Sequence, residues 1–135
     1  MQPWEEFRRK YPSGEIAYWI GDEYLVLIKI NTLNVLCGYV ILPENHPYTG
    51  IDLYDDDDKN TLYKLDVHGG VTFTDYVEDG YEHAGDYVIG FDCAHAGDYV
   101  PRFSDFTPFA DGVWRDEAFV INELKRLVEQ LKEVE

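Results

Sequence analysis

Two short stretches hold most of the residues that could do chemistry. One is LDVHGGVTF, with His68, Gly69, Gly70 and Thr72; the other is FDCAHAGD, with Asp92, His95 and Asp98. The second sets a carboxylate, an imidazole and a carboxylate three residues apart, donor types that a divalent metal accepts. Joined by His68, it gives a candidate metal set of His68, Asp92 and His95, with Asp98 as a further ligand or a general base. A divalent ion held there would be the cofactor of a phosphoester hydrolase. The same residues suit binding without catalysis. The paired glycines leave backbone N–H groups uncovered, suited to an anionic or carbonyl group, and His68, Thr72, Asp92, His95 and Asp98 surround them with polar side chains. No H-E-x-x-H helix, cysteine pair or phosphate loop reinforces either chemistry. The plainest alternative is structural: His68 belongs to a turn, and the acids bond the backbone of their own loop. His46, in NHP, reads as an exposed loop residue, and Cys37 and Cys93 as small buried apolar side chains.

These stretches need a scaffold. Residues 3–10, PWEEFRRK, predict a short amphipathic helix with Trp4 and Phe7 on one side, ended by Pro12. EIAYWI and EYLVLIKI predict two strands joined by a two-residue turn at Gly21-Asp22. The second is apolar at nearly every position, which predicts cover on both faces. After the turn NTLN, VLCGYVIL predicts a third strand that stops at Pro43, before a long polar loop over 43–61. DYVIGFDC predicts a later strand with Tyr87, Ile89, Phe91 and Cys93 on one side, and Val88, Gly90 and Asp92 on the other. Gly90 leaves space for something to approach the sheet. The tail from Trp114 predicts an amphipathic helix: Val120, Leu124, Leu127, Leu131 and Val134 recur at helical spacing, and Asp116 and Glu117 sit where the helix dipole favours acid. The expectation is one domain over 1–135, of the α+β class: an antiparallel sheet, a short N-terminal helix, and the C-terminal amphipathic helix packed on the sheet.

The alternation of LYKLDVHGGVTFT further predicts a β-hairpin. A three-residue loop of His68, Gly69 and Gly70 pairs Val67 with Val71, Leu65 with Phe73 and Asp66 with Thr72, which keeps apolar and polar residues on separate faces. His68 then stands at a hairpin tip, and Asp66, Thr72 and Asp92 share a face whose rim holds His68, His95 and Asp98. The hexapeptide HAGDYV occurs at 83–88 and again at 95–100. The first copy enters a strand and the second leaves one, so the two are expected in unlike settings; only the second can set His95 and Asp98 beside Asp92.

Composition narrows the function. With 45% hydrophobic residues the 135-residue chain has ample material for a packed core. Its 27 acidic against 11 basic residues give a net charge of −16, a field that repels phosphate backbones and anionic membranes. Direct nucleic-acid binding is therefore excluded as an expectation. Cation binding and imitation of nucleic acid toward a basic protein groove are favoured. The aspartate run Asp55, Asp56, Asp57 and Asp58 reads as a solvated loop, or as the patch such a mimic would present. Two cysteines are too few for a secreted disulfide framework, MQPWEEFRRKYP has no apolar signal region, and no apolar run is long enough to span a membrane. The expected place is the cytoplasm.

Three blocks, CGYVILPENHP, LDVHGGVTF and IGFDCAHAGD, resemble a family of small phage and prophage proteins. The resemblance covers roughly residues 36–98. It implies origin on a mobile element rather than an activity. The leading expectation is thus a small phage-type protein that counters a host defence factor by binding, with its polar pocket around His68, Gly69, Gly70, Thr72, Asp92, His95 and Asp98 holding a nucleotide-like or other anionic ligand. The alternatives are the metal-dependent hydrolase, an acidic nucleic-acid mimic that inhibits a host nuclease, and a virion or scaffold component. The expected partners are a host protein or a small ligand.

Overall fold

A computed structural model describes residues 1–55, 61–105 and 109–135. Five strands form one antiparallel sheet in the order β1-β2-β3-β5-β4: β1 (Glu15–Ile20), β2 (Tyr24–Ile30), β3 (Leu36–Ile41), β4 (Phe73–Tyr76) and β5 (Tyr87–Asp92). Helix α1 (Pro3–Lys10) precedes the sheet and α2 (Glu117–Glu133) follows it. This is the α+β arrangement that the patterning predicts. Among the described residues, no helix is long and apolar enough to cross a membrane.

The register explains which side chains form the core. Val26, Val40 and Ile89 stand in one row across β2, β3 and β5, and Ile28, Gly38 and Phe91 in the next. Both rows face α2, whose Val120, Leu124, Leu127, Val128 and Leu131 are buried against them. Gly38 is needed for this approach: a Cβ there would lie 2.6 Å from the Phe91 ring and 3.1 Å from Leu124. The Asp116 side chain caps α2 by accepting from the Phe119 N–H at 2.9 Å. Val134 lies past the end of the helix and is exposed, so the expected apolar stripe stops at Leu131.

Several expectations require correction. The turn between β1 and β2 holds three residues, Gly21, Asp22 and Glu23, because Ile20 pairs with Tyr24. Strand β2 is covered on one face only; Leu25 and Leu27 point to the side away from α2 and are half-buried. The hairpin at 62–74 does not form. Leu62–Lys64 is a 3₁₀ turn, and only Phe73–Tyr76 becomes a strand, paired with β5.

Segment 65–68 finds its hydrogen bonds on α2 instead. The Asp66 N–H donates to Gln130 Oε1 at 2.7 Å, Gln130 Nε2 donates back to the Asp66 carbonyl at 2.8 Å, and the His68 N–H donates to Glu123 Oε1 at 2.8 Å. An amide and a carboxylate two helical turns apart thus do for this segment what a neighbouring strand would do. Asp66 consequently turns outward to Arg126 (2.7 Å) and does not share a face with Asp92.

His46 is also corrected: it is buried, not exposed. Its Nε2 donates to the Leu131 carbonyl at 2.9 Å and its Nδ1 accepts from the Tyr48 N–H at 3.0 Å, which ties the loop after β3 to the end of α2. Cys37 and Cys93 are buried free thiols, as their reading as small apolar residues predicts.

Candidate functional site

The two chemistry-bearing stretches meet. Residues 67–70 form a tight turn in which the Gly70 N–H donates to the Val67 carbonyl at 2.8 Å, with Gly69 at φ +70° and Gly70 at φ +78°. The turn presents His68 to the loop after β5. His68 Nε2 lies 2.7 Å from Asp98 Oδ2 and 3.0 Å from Oδ1. Gly69 is indispensable for a second reason: its Cβ would enter the His95 imidazole. On the adjoining edge, Thr72 Oγ1 donates to Asp92 Oδ2 at 2.9 Å, and the Ala94 N–H donates to Asp92 Oδ1 at 3.0 Å. All seven residues singled out from the sequence therefore stand together.

Asp98 is the centre of the cluster and is fully buried. Besides His68 it accepts from Arg115 Nε at 2.8 Å and from the His95 N–H at 3.0 Å. Burial pushes its carboxyl up, but the hydrogen bonds from Arg115, His68 and His95 outweigh that and hold it below the ordinary carboxylate range. An ionised Asp98 requires the proton on His68 Nε2. The His68 ring also meets Phe119 edge-on at 5.0 Å, and the Arg115 guanidinium lies over the Phe119 ring at 4.9 Å. Sequence reasoning misses Arg115, Phe119 and Glu123. The available signal was Glu123 itself: it falls on the apolar stripe of α2, where a carboxylate must find donors.

The two copies of HAGDYV fold alike locally. In each, the aspartate N–H donates to the histidine carbonyl, at 3.0 Å for Asp86 and 2.9 Å for Asp98, with Gly85 at φ +87° and Gly97 at φ +92°. Their settings differ, as expected from the strands around them. His83 and Asp86 pair at 3.2 Å on the surface, whereas Asp98 is locked between two other segments.

The cluster is closed upon itself. Both Asp98 oxygens are taken, one of them by a guanidinium whose charge opposes a metal ion in the same place. His95 Nε2 is 3.1 Å from Asp92 Oδ1 but makes no hydrogen bond to it. Among the described residues, no group of three or more His, Cys, Asp or Glu side chains is arranged to hold a metal ion. Anion capture by the glycines is opposed too, because the Gly70 N–H is already bonded to Val67 and the Arg115 guanidinium faces Asp98. Asp55 is described, but Asp56, Asp57 and Asp58 lie outside the described residues.

Open space lies on the sheet face opposite α2. Across it run Trp19, Leu25, Ile41 and Val88 in one row, and Ala17, Leu27, Tyr39, Gly90 and Phe73 in the next. Trp19 is 55% exposed and Phe73 40%, large fractions for residues of their size. The group that approaches the sheet over Gly90 is Tyr39: a Cβ at Gly90 would come within 2.5 Å of its ring. One cavity of ≈ 590 Å³ opens at the Trp19 end, rimmed by Asp22, Glu23, Glu44, Asp86 and Glu135. A second, of ≈ 410 Å³, lies over Tyr39 and Phe73 and is rimmed by Glu15, Asp75, Glu78 and Glu82, with Lys29 as its one cation among the described residues. The two share Ile41. Asp92 stands opposite Cys37 at the far end of the same face, hydrogen-bonded to Thr72. Comparison of the chain with protein-family models, with curated proteins and with solved structures finds no match.

Proposed function

We propose that this chain is a non-enzymatic binding protein of phage type that counters a host factor in the cytoplasm, and that it engages a basic host protein through the open face of its sheet. The observation that carries this reading is the charge around that face. Among the described residues, five acidic side chains rim one cavity and four rim the other, against a single lysine. Apolar and aromatic side chains contribute to the floor of both, so the face sets apolar side chains within a charged border, the layout of a protein-binding surface. A carboxylate border of this kind speeds the encounter with a basic groove.

The chemistry-bearing cluster supports the same reading in another way. His68, Asp98, Arg115 and the His95 N–H satisfy one another, and that network fixes the loops on either side of Thr72 and Asp92. In this reading the cluster is the rigid rim of a binding face, with Thr72, Asp92 and His95 as its polar contacts.

The test is native mass spectrometry of the protein purified from host cells, in parallel with a variant carrying Glu44→Gln, Asp75→Asn, Glu78→Gln and Glu82→Gln. The expected result is a complex with a basic protein that the variant loses. A complex that persists unchanged in the variant, or a partner that is not basic, refutes the reading.

A further inference from the structure

We infer that the cavity over Tyr39 and Phe73 is a receptor for an arginine side chain. This deepens the reading above, since it names the group that a basic partner would insert. Four aromatic rings, Tyr39, Phe73, Tyr76 and Tyr81, contribute to its lining. Tyr39 and Phe73 meet edge to face, with centroids 5.4 Å apart, so their mutual orientation is fixed. Gly90 makes room for the Tyr39 ring to lie on the sheet. Fixed rings turn a negative π face toward a cation without further ordering cost. The chain already places a cation there: Lys29 Nζ stands 5.8 Å from the centroid of the Tyr39 ring, at one end of the cavity.

The rim selects the charge. Lys29 is matched by Glu15 at 3.6 Å, which leaves Asp75, Glu78 and Glu82 as carboxylates with no ion pair among the described residues. Carboxylates beside ring faces suit a guanidinium better than an ammonium. It is planar, weakly hydrated, stacks on rings, and presents paired N–H groups to a carboxylate. A volume of ≈ 410 Å³ admits a long side chain with part of its backbone.

The experiment is titration of the purified full chain with N-acetyl-arginine amide and, separately, with the neutral isostere N-acetyl-citrulline amide, read by NMR at the ring protons. Saturable shifts of Tyr39, Phe73 and Tyr81 with the arginine derivative alone are expected. Glu78→Gln with Glu82→Gln, on an exposed loop, should weaken that response several-fold without touching the fold, and Tyr39→Leu should weaken it about ten-fold. Equal shifts with both compounds, or shifts confined to Trp19 and His83 in the neighbouring cavity, overturn the inference. The two readings fail separately. If the arginine derivative binds but no basic protein is recovered from host cells, the receptor stands and the host-factor reading falls. If a basic protein is recovered and Tyr39→Leu binds it undiminished, the receptor falls and the host-factor reading stands.

Discussion

His68 Nε2 stands 2.7 Å from Asp98 Oδ2, and through this contact the turn at 67–70 is fastened to the loop that follows β5. The two residues are thirty positions apart, and no strand ladder joins their segments. The fastening depends on the charge of Asp98, which Arg115 shares.

Acid should loosen it. The folded carboxyl of Asp98 ionises below its ordinary value of 3.8, so its contribution to stability is complete above that pH and is lost as pH falls through the folded value. Replacing Asp98 by Asn leaves Arg115 without its partner carboxylate, at a cost of about 3–5 kcal/mol. Chemical denaturation at a series of pH values checks both points. The natural chain should lose stability steeply below pH 3.8, and Asp98→Asn should be weaker at neutral pH with a shallower acid limb.

Gly69→Ala should disturb the same place by another route. The residue would have to hold φ +70° and also push its Cβ into the His95 ring. A cost of about 2 kcal/mol follows from the backbone alone. Gly70→Ala makes a useful contrast, since φ +78° strains it equally but its Cβ meets open space. The expected difference is a shift of the His95 ring signals in NMR for the first variant only.

Much of the scaffold was legible because hydrophobic period reports burial directly. Strands β1, β2, β3 and β5 and helix α2 follow from it; the meeting of Asp92, His95 and Asp98 with His68 does not, since the hairpin expected to bring it about does not form and the segment of His68 is held by α2 instead. The failed hairpin has a physical cause. Leu65 and Val67 do alternate inward and are buried, but alternation does not say what satisfies the backbone between them. Gln130 and Glu123 do so from α2, and side chains that replace a strand leave no pattern in the segment they serve. His46 was misread for a similar reason: its partners, the Leu131 carbonyl and the Tyr48 N–H, are backbone groups that composition cannot reveal. The open sheet face escaped because a half-buried apolar strand and a fully covered one look alike in sequence.

Glu123 gives a further prediction. Its Oε1 accepts the His68 N–H at 2.8 Å and its Oε2 accepts from Arg126 at 2.6 Å. Glu123→Ala strands a partly buried N–H and should cost about 1–3 kcal/mol. Glu123→Gln keeps an acceptor for His68 and should cost less. Amide hydrogen exchange at His68 separates the two: fast in the alanine variant, slower in the glutamine one.

The two thiols should be inert while the fold persists. Burial pushes Cys37 up to about 11 and Cys93 higher still, so almost no thiolate is present at neutral pH. Alkylation with iodoacetamide, followed by intact mass, should add nothing to the folded chain and two groups after denaturation.

The repeated hexapeptide allows the sharpest comparison, because one sequence is read twice in one molecule. Both copies make the same turn, but their side chains pair differently: His83 meets Asp86 of its own copy, whereas Asp98 is met by His68 from outside the repeat. What differs is water. The Asp86 side chain is 43% exposed and the Asp98 side chain 0%. An exposed pair three residues apart is worth about 0.5 kcal/mol or less, since solvent screens it; a buried one that also holds a guanidinium costs several when broken. Asp86→Asn should therefore leave the denaturation midpoint nearly unchanged, while Asp98→Asn lowers it strongly. Equal losses in the two variants would mean that the turn, common to both, carries the stability rather than the buried network, and the fastening role of Asp98 would have to be given up.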